Sequence, residues 1–237
     1  MYKSKILVVL LVLFYIVFVF FQFRGDLTLA DNFDAVLVPT ITLAYFLYVK
    51  EKTLFFSLFL ILFSISDLMV LIVNYIPYEI DYFIGNSLYI LAYISLFLEV
   101  CKSICVVHVL KNFKIHLIVL IALSFYIVYV LQVIVDPYVG KTNEYYVELI
   151  YNIVMLVFLS SSLLNFFYRD NKKSLYLFIG ALCIVFSEVI WVAYTYISDK
   201  SLLNVISGTL SLLAFYFFYK QSNLLDEDKD EIVMATE

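Results

Sequence analysis

The chain is poor in charge, cysteine and histidine. Only 15% of its 237 residues are charged, and it contains three cysteines and two histidines. The cysteines fit neither an even disulfide framework nor a metal-binding spacing. No basic patch of the kind that binds nucleic acid is present. We therefore expect no metal, no cofactor and no nucleic-acid partner.

What the sequence has instead is apolar surface. It is 65% hydrophobic and 19% aromatic, with a mean hydropathy of +1.00. A soluble domain of this length could not bury so much apolar surface, so the composition predicts a polytopic membrane protein. The net charge of −5 comes from six acids in the last twelve residues. We expect a transmembrane domain over 1–221 and an acidic, disordered cytoplasmic tail over 222–237.

The apolar segments predict an all-α fold, a bundle of eight transmembrane helices. A hydrocarbon core of about 30 Å needs about 20 apolar residues per helix. Because the connections are short, consecutive spans should be antiparallel neighbours. The first span has no small-residue cleavage site after it, so we expect it to be retained. The predicted spans are 6–23, 33–49, 54–75, 82–100, 116–135, 147–168, 174–197 and 201–219.

The basic residues predict the orientation of the bundle. With a cytoplasmic N-terminus, twelve of the fifteen lysines and arginines fall on the inner side. This is the positive-inside pattern, and an even number of spans then places the C-terminus in the cytoplasm too. Richness in Lys, Asn, Ile and Phe is typical of an AT-rich bacterial genome and favours the cytoplasmic membrane. The acids expected at the outer rim are Asp26, Asp31, Asp34, Glu79, Asp81, Asp136, Glu144, Glu148 and Asp199.

Two carboxylates lie inside apolar spans, each directly after a serine. Asp67 follows Ser66 in span three, and Glu188 follows Ser187 in span seven. An ionisable group at such depth costs about 2.5–3.5 kcal/mol on insertion scales, so each is a candidate functional residue. At 1.5 Å per residue they lie about 20 Å and about 21 Å from the start of their spans, nearly level. Two such carboxylates do not both ionise easily in a low-dielectric cavity, so one should hold a proton.

Polar residues of neighbouring spans should face the same site. Asn86, Tyr89 and Tyr93 form one stripe on span four, with Tyr89 about level with the acid of span three. Trp191, the only tryptophan, is expected in the cavity wall, and Ser207 lies on the polar face of span eight. Ordinary helix packing also explains such residues. Because spans three and four resemble spans seven and eight, a parallel internal repeat is predicted.

Two short motifs, one in each half of the chain, carry a resemblance to a known family. They are Ser66-Asp67 with Leu71 and Gly85-Asn86 downstream, and Gly180-Ala181-Leu182 followed by Phe186-Ser187-Glu188. On these motifs the chain resembles the YhhN family of membrane proteins, which includes the eukaryotic lysoplasmalogenases. The family has an aspartate where this chain has Glu188, and it tends to have a histidine where this chain has Tyr93.

The resemblance implies an eight-span bundle that hydrolyses the vinyl-ether bond of a lysoplasmalogen, a lysophospholipid-like substrate. Protonation of a vinyl-ether carbon gives an oxocarbenium ion that water then captures. One carboxyl group of Asp67 and Glu188 would be the acid, and the other would stabilise the cation and orient the water. The resemblance thus makes this pair catalytic. Asn86, Tyr89 and Ser207 would hold the water or the glycerol oxygens.

Two other interpretations stay open. Intramembrane acids and internal repeats are also typical of small transporters for a proton-coupled or lipid-like solute. Against a transporter, the spans lack paired Gly or Pro interruptions, since only Pro39 lies within a span. The chain can also be a membrane partner or sensor that keeps the fold without the activity, an interpretation that Tyr93 and the acidic tail favour.

Overall fold

The computed structural model describes residues 2–104, 109, 111–140 and 142–224, so most of the predicted tail lies outside the described residues. All regular structure in this part of the chain is helical, which confirms the all-α class. The helices are α1 (Tyr2–Arg24), α2 (Leu27–Asp34), α3 (Leu37–Tyr48), α4 (Leu54–Met69), a 3₁₀ segment (Val70–Tyr75), α5 (Tyr78–Ser103), α6 (Lys114–Val139), α7 (Asn143–Arg169), α8 (Lys172–Tyr196) and α9 (Ser201–Ser222).

Eight helical segments of the described chain are long and apolar enough to cross a membrane, as predicted, and the chain is a multi-pass membrane protein. The second span consists of α2 and α3, and the third consists of α4 and the 3₁₀ segment. Consecutive spans run in opposite directions. We call the end of the bundle that holds the start of α1 the near end, and the opposite end, where α1 finishes, the far end.

The second span begins at Leu27, six residues before the predicted start. The Asp26 carboxylate accepts a hydrogen bond from the Leu29 N–H at 3.3 Å and so caps the first turn of α2. Asp31 and Asp34 lower the local hydropathy, which is why a rule based on apolar length misses these two turns. The early start puts both acids on a helix, where they line the cavity described below.

The second span is also interrupted, next to its only proline. α2 ends at Asp34 and α3 begins at Leu37. Pro39 has no N–H to donate to the Ala35 carbonyl four residues earlier, and its ring crowds that carbonyl, so a continuous helix cannot form. The interruption thus lies beside the one proline that the sequence places within a span.

The near half of the bundle is filled by an aromatic core. Phe59 of α4 stacks on Phe215 of α9, with ring centroids 5.5 Å apart. The Phe218 ring lies edge-on to Phe59 at 5.4 Å, and all three side chains are fully buried. Such close contact between large rings fills the space between α4 and α9 at this height.

Close packing of α8 on α9 leads to a first prediction. A Cβ atom at Gly180 would lie 2.5 Å from the Phe218 ring and 3.2 Å from the Ala214 carbonyl oxygen. Because Phe218 is locked in the aromatic core, Gly180→Ala should lower stability by about 1–3 kcal/mol, the usual cost of overpacking. Thermal unfolding in detergent measures this.

Gly85→Ala is the matched control, because a Cβ atom there meets only the Ser66 hydroxyl oxygen, at 3.6 Å. Alanine is the better helix former, so this change should be neutral or slightly stabilising. Equal unfolding temperatures for the two variants would contradict the packing described for α8 and α9.

Candidate functional site

A cavity of about 430 Å³ lies between the helices in the far half of the bundle. The second, third, fourth, sixth, seventh and eighth spans form most of its wall, and Leu131 of α6 closes one side. Phe63 separates it from the aromatic core of the near half. The cavity is therefore a polar chamber that begins near the middle of the spans and continues toward the far end.

Five carboxylates line the cavity, and no lysine, arginine or histidine is found among its described lining residues. The five are Asp31, Asp34, Asp67, Glu148 and Glu188. A wall with charges of one sign creates a potential that attracts cations and repels anions. Among the described residues, no three His, Cys, Asp or Glu side chains are grouped so that they could hold one metal ion.

Tyr89 holds the carboxylate of Asp67. The Tyr89 hydroxyl donates a hydrogen bond to Oδ1 of Asp67 at 2.6 Å, a length typical of a bond to a carboxyl group. The Tyr89 ring packs edge-on against Phe63, with centroids 4.7 Å apart, which fixes the direction of its hydroxyl. The two residues meet because they lie at the same height on the antiparallel α4 and α5.

A tyrosine also holds Glu188. The hydroxyl of Tyr93, which is fully buried, donates to Oε1 of Glu188 at 3.3 Å. Tyr151 of α7 packs edge-on against Tyr93 at 5.7 Å and lines the same cavity as Glu188. At the position where the YhhN pattern tends to have a histidine, this chain thus places a hydroxyl donor on the second intramembrane acid.

The serine before each acid makes the same contact in both halves of the chain. The Ser66 hydroxyl donates to the Gly85 carbonyl on the next span at 2.9 Å. The Ser187 hydroxyl donates to the Ser207 carbonyl on its next span at 2.8 Å, and Ser207 donates back to the Ser187 carbonyl at 2.9 Å. These serines tie neighbouring spans together and so fix the height and rotation of the acids that follow them.

Two further acids lie in the same cavity as Asp67 and Glu188. Asp34 of α2 and Glu148 of α7 both line its wall. The negative charge of the cavity therefore comes from several helices.

Asp34 is a cavity residue that sequence reasoning assigned to the outer rim. It comes last in α2, directly before the interruption of span two. A Cβ atom at Gly208 would lie 3.3 Å from the Asp34 carboxylate and 2.9 Å from the Phe18 ring, so a glycine is needed there. Asp31 and Asp34 are three residues apart, which puts both on one face of a helix. This spacing is the sequence feature that indicates a shared location for the two acids.

Sequence reasoning also missed a group of residues on α7. Glu148 is buried and accepts a hydrogen bond from the Tyr82 hydroxyl at 2.8 Å. Tyr151 and Asn152 lie one helical turn further along and line the same cavity. Their spacing of three and four residues puts all three on one face of α7. Glu148 had been expected at the outer rim because it lies close to the start of its span.

The predicted site residues converge on this cavity, with one exception. Asn86, Tyr89, Trp191 and Ser207 line its wall together with the two intramembrane acids, whereas Tyr93 is absent from the lining and lies behind it. The Asn86 amide donates one N–H to the Tyr82 carbonyl on its own helix at 2.8 Å, which leaves its second N–H and its oxygen for a ligand. The Ser207 hydroxyl proton is engaged with α8.

Comparison with known proteins adds no relative. No protein-family model, no curated protein and no solved structure matches the chain. The YhhN resemblance stays a prediction from the two motifs, and the cavity has to be understood from its own residues.

The single tryptophan makes the charge of the cavity measurable. Trp191 lines the cavity and is 43% exposed. We expect caesium to quench its fluorescence more than iodide does, each relative to N-acetyltryptophanamide, because a negative wall concentrates cations. A Stern–Volmer titration in an uncharged detergent measures the two constants.

The double variant Asp67→Asn, Glu188→Gln serves as the control and should lower the caesium constant. Quenching of the wild type by iodide as strongly as by caesium would mean that the cavity is not negative.

Proposed function

We propose that the protein is a vinyl-ether hydrolase of the lysoplasmalogenase kind, with its active site in the far-half cavity. The observation that carries the proposal is a cavity whose charged lining residues are all acidic and in which tyrosine hydroxyls hold two carboxyl groups, those of Asp67 and Glu188. This arrangement offers a proton and negative charge to one bound molecule. Both are required for cleavage through a cationic intermediate, and the resemblance to the YhhN family supports the same reaction.

The reaction begins with transfer of a proton to carbon. Protonated Asp67 gives its proton to the vinyl carbon further from the ether oxygen, and the π electrons of the double bond form the new C–H bond. The ether-linked carbon becomes an oxocarbenium ion. A water molecule adds to that carbon and gives a proton to a carboxylate, which produces a hemiacetal. As the bond to the original ether oxygen breaks, the hemiacetal hydroxyl gives its proton to the Asp67 carboxylate, which restores the acid. The ether oxygen takes the proton that the other carboxyl group received from water and leaves as the alcohol, and an aldehyde remains.

The negative wall suits the charge that develops in this reaction. A neutral vinyl ether gains little from nearby carboxylates, whereas an oxocarbenium ion gains a favourable interaction with each of them. Interactions that strengthen in the transition state are the ones that raise the rate. The carboxylates of Asp34, Glu148 and Glu188 are placed to supply this stabilisation once Asp67 has given up its proton.

The size of the cavity and its contact with the surface support a lipid-like substrate of which only one part enters the cavity. A volume of about 430 Å³ takes the vinyl-ether region but not a whole lysophospholipid. Val70 and Trp191 belong to the wall and are also 37% and 43% exposed, so they mark where the cavity meets the surface. The alkyl chain would remain in the bilayer. The phosphate would remain outside the cavity, because the described wall offers it no cation.

The remaining predicted residues would position the substrate. The free oxygen of the Asn86 amide and the ring of Trp191 face the bound glycerol, while Ser207 mainly fixes α9 against α8. Tyr89 and Tyr93 would orient the two carboxyl groups from the protein side.

We also propose the orientation and origin that the sequence predicts. Twelve of fifteen basic residues favour cytoplasmic termini, with the far-half cavity toward the outer face of a cytoplasmic membrane. The matching contacts of Ser66 and Ser187 with the following span support an internal repeat of spans three and four in spans seven and eight.

The test is release of aldehyde from a lysoplasmalogen by the purified full-length chain. Asp67→Asn and Glu188→Gln should each lower kcat by about 10²–10⁴, the usual contribution of a positioned acid or base. Glu99→Gln is the matched control, because Glu99 is a part-buried glutamate of a spanning helix that does not line the cavity. It should retain wild-type turnover.

Wild-type turnover in Asp67→Asn would remove Asp67 from the mechanism. A wild-type protein that releases no aldehyde would overturn the hydrolase assignment.

A transporter is the second candidate, and the interruption of span two favours it. Transporters often build cation sites where a spanning helix is broken, and here the break between Asp34 and Leu37 borders the acidic cavity. A potassium diffusion potential across proteoliposomes would then drive proton or cation flux above that of empty liposomes. A hydrolase would show aldehyde release and no such flux.

A further inference from the structure

Asn152 presents an unusual feature in the cavity wall. It lies on α7, lines the cavity and is only 2% exposed. Its amide nitrogen Nδ2 is buried and has no hydrogen-bond partner. Buried polar atoms are almost always paired in folded proteins, so each orphan calls for an explanation. Because the same side chain belongs to the cavity wall, rotation of its amide about the terminal torsion brings this donor to a ligand atom when the site is loaded.

The neighbours of Asn152 limit what that ligand atom can be. Glu148 precedes it by one helical turn, Tyr151 is adjacent in sequence, and both line the same cavity as Glu188. Tyr151 packs edge-on against Tyr93, whose hydroxyl donates to the Glu188 carboxylate, so α7 lies on that side of the cavity. A donor in a wall that also holds Glu148 and Glu188 suits a small molecule that accepts one hydrogen bond and donates another. Water has this property, and it needs two to four polar partners to be held in a buried site.

We infer that Asn152 holds the attacking water of the hydrolysis against the carboxylate of Glu188, an inference that rests on the proposed function. The amide reaches the water by rotation about its terminal torsion, which is broad for asparagine. Nδ2 donates to the water oxygen, and the water donates one of its hydrogens to Glu188. The remaining lone pair of the water oxygen then faces the oxocarbenium carbon.

The step balances with the groups that are present. The water oxygen forms a bond to the oxocarbenium carbon, and one O–H bond of the water breaks as its proton goes to the Glu188 carboxylate. The products are a neutral hemiacetal and a protonated Glu188, which can return its proton to the ether oxygen when the C–O bond breaks. Asn152 itself exchanges no proton. It is a positioning residue, and it should therefore affect turnover and the choice of nucleophile more than substrate binding.

A second asparagine of the same helix provides a matched control. Asn165 is also 2% exposed and also carries an unpartnered amide atom, Oδ1, but it does not line the cavity. Each amide has one buried atom without a partner, and replacing the asparagine by leucine, which is of similar size, removes that unsatisfied polar atom. Asn152→Leu and Asn165→Leu should therefore both keep the thermal stability of the wild type, while only the change in the cavity alters catalysis.

The experiment compares these variants of the full chain in aldehyde release. Asn152→Leu is expected to lower kcat at least tenfold with KM changed less than threefold and no fall in unfolding temperature, whereas Asn165→Leu keeps both constants. Asn152→Asp, which keeps the shape but replaces Nδ2 by an oxygen, should also lower kcat. In water–methanol mixtures, Asn152→Leu should raise the ratio of mixed acetal to aldehyde, a readout that does not depend on the amount of folded enzyme.

Four results would overturn the inference. The first is wild-type kcat in Asn152→Leu or in Asn152→Asp. The second is a parallel loss of stability and activity in Asn152→Leu with an unchanged acetal ratio, which would make Asn152 a structural residue. The third is an equal effect of Asn165→Leu. The fourth is a wild type that releases no aldehyde, which would overturn the proposed function itself and the water site with it.

Discussion

The burial of carboxyl groups inside an apolar bundle is the constraint on which the rest of this structure depends. Ionisable groups are costly at membrane depth unless polar partners accompany them. The protein supplies those partners as tyrosine hydroxyls, with Tyr89 donating to Asp67 at 2.6 Å and Tyr93 donating to Glu188. Because tyrosine brings its own aromatic ring, each donor is held by the same packing that forms the core. In this cavity the tyrosines thus combine a hydrogen bond to a carboxylate with apolar packing of the ring.

Much of the local structure serves to keep this cavity open. Pro39 interrupts span two and leaves Asp34 at the end of α2, facing the chamber. Position 208 is a glycine because a Cβ atom there would crowd the Asp34 carboxylate and the Phe18 ring. The serines before the two intramembrane acids donate hydrogen bonds to backbone carbonyls of the neighbouring spans. These bonds hold the helices at a fixed relative height. These features break the regular apolar pattern at one place, where function is expected.

The sequence predicts the helices that form this site better than it predicts which residues line the cavity. Eight spans follow from apolar length, and the rise of a helix is enough to bring Asp67 level with Tyr89 on the next span. The contact between Tyr93 and Glu188 joins residues 95 positions apart, and it depends on how α5, α7 and α8 are rotated, which packing alone decides. Asp34 was misplaced because acids lower hydropathy whether they face water outside the membrane or a chamber within it. The sequence does not identify Asn152 as a cavity residue, since one asparagine in a span usually indicates helix packing.

The central claim is that a carboxyl group of the cavity protonates a vinyl-ether carbon. Hydrolysis of a lysoplasmalogen in heavy water, with the aldehyde trapped as it forms and analysed by mass spectrometry, tests this most directly. The account predicts one deuterium on the carbon next to the aldehyde carbon. Aldehyde without that deuterium would contradict proton transfer to carbon and with it the role given to Asp67.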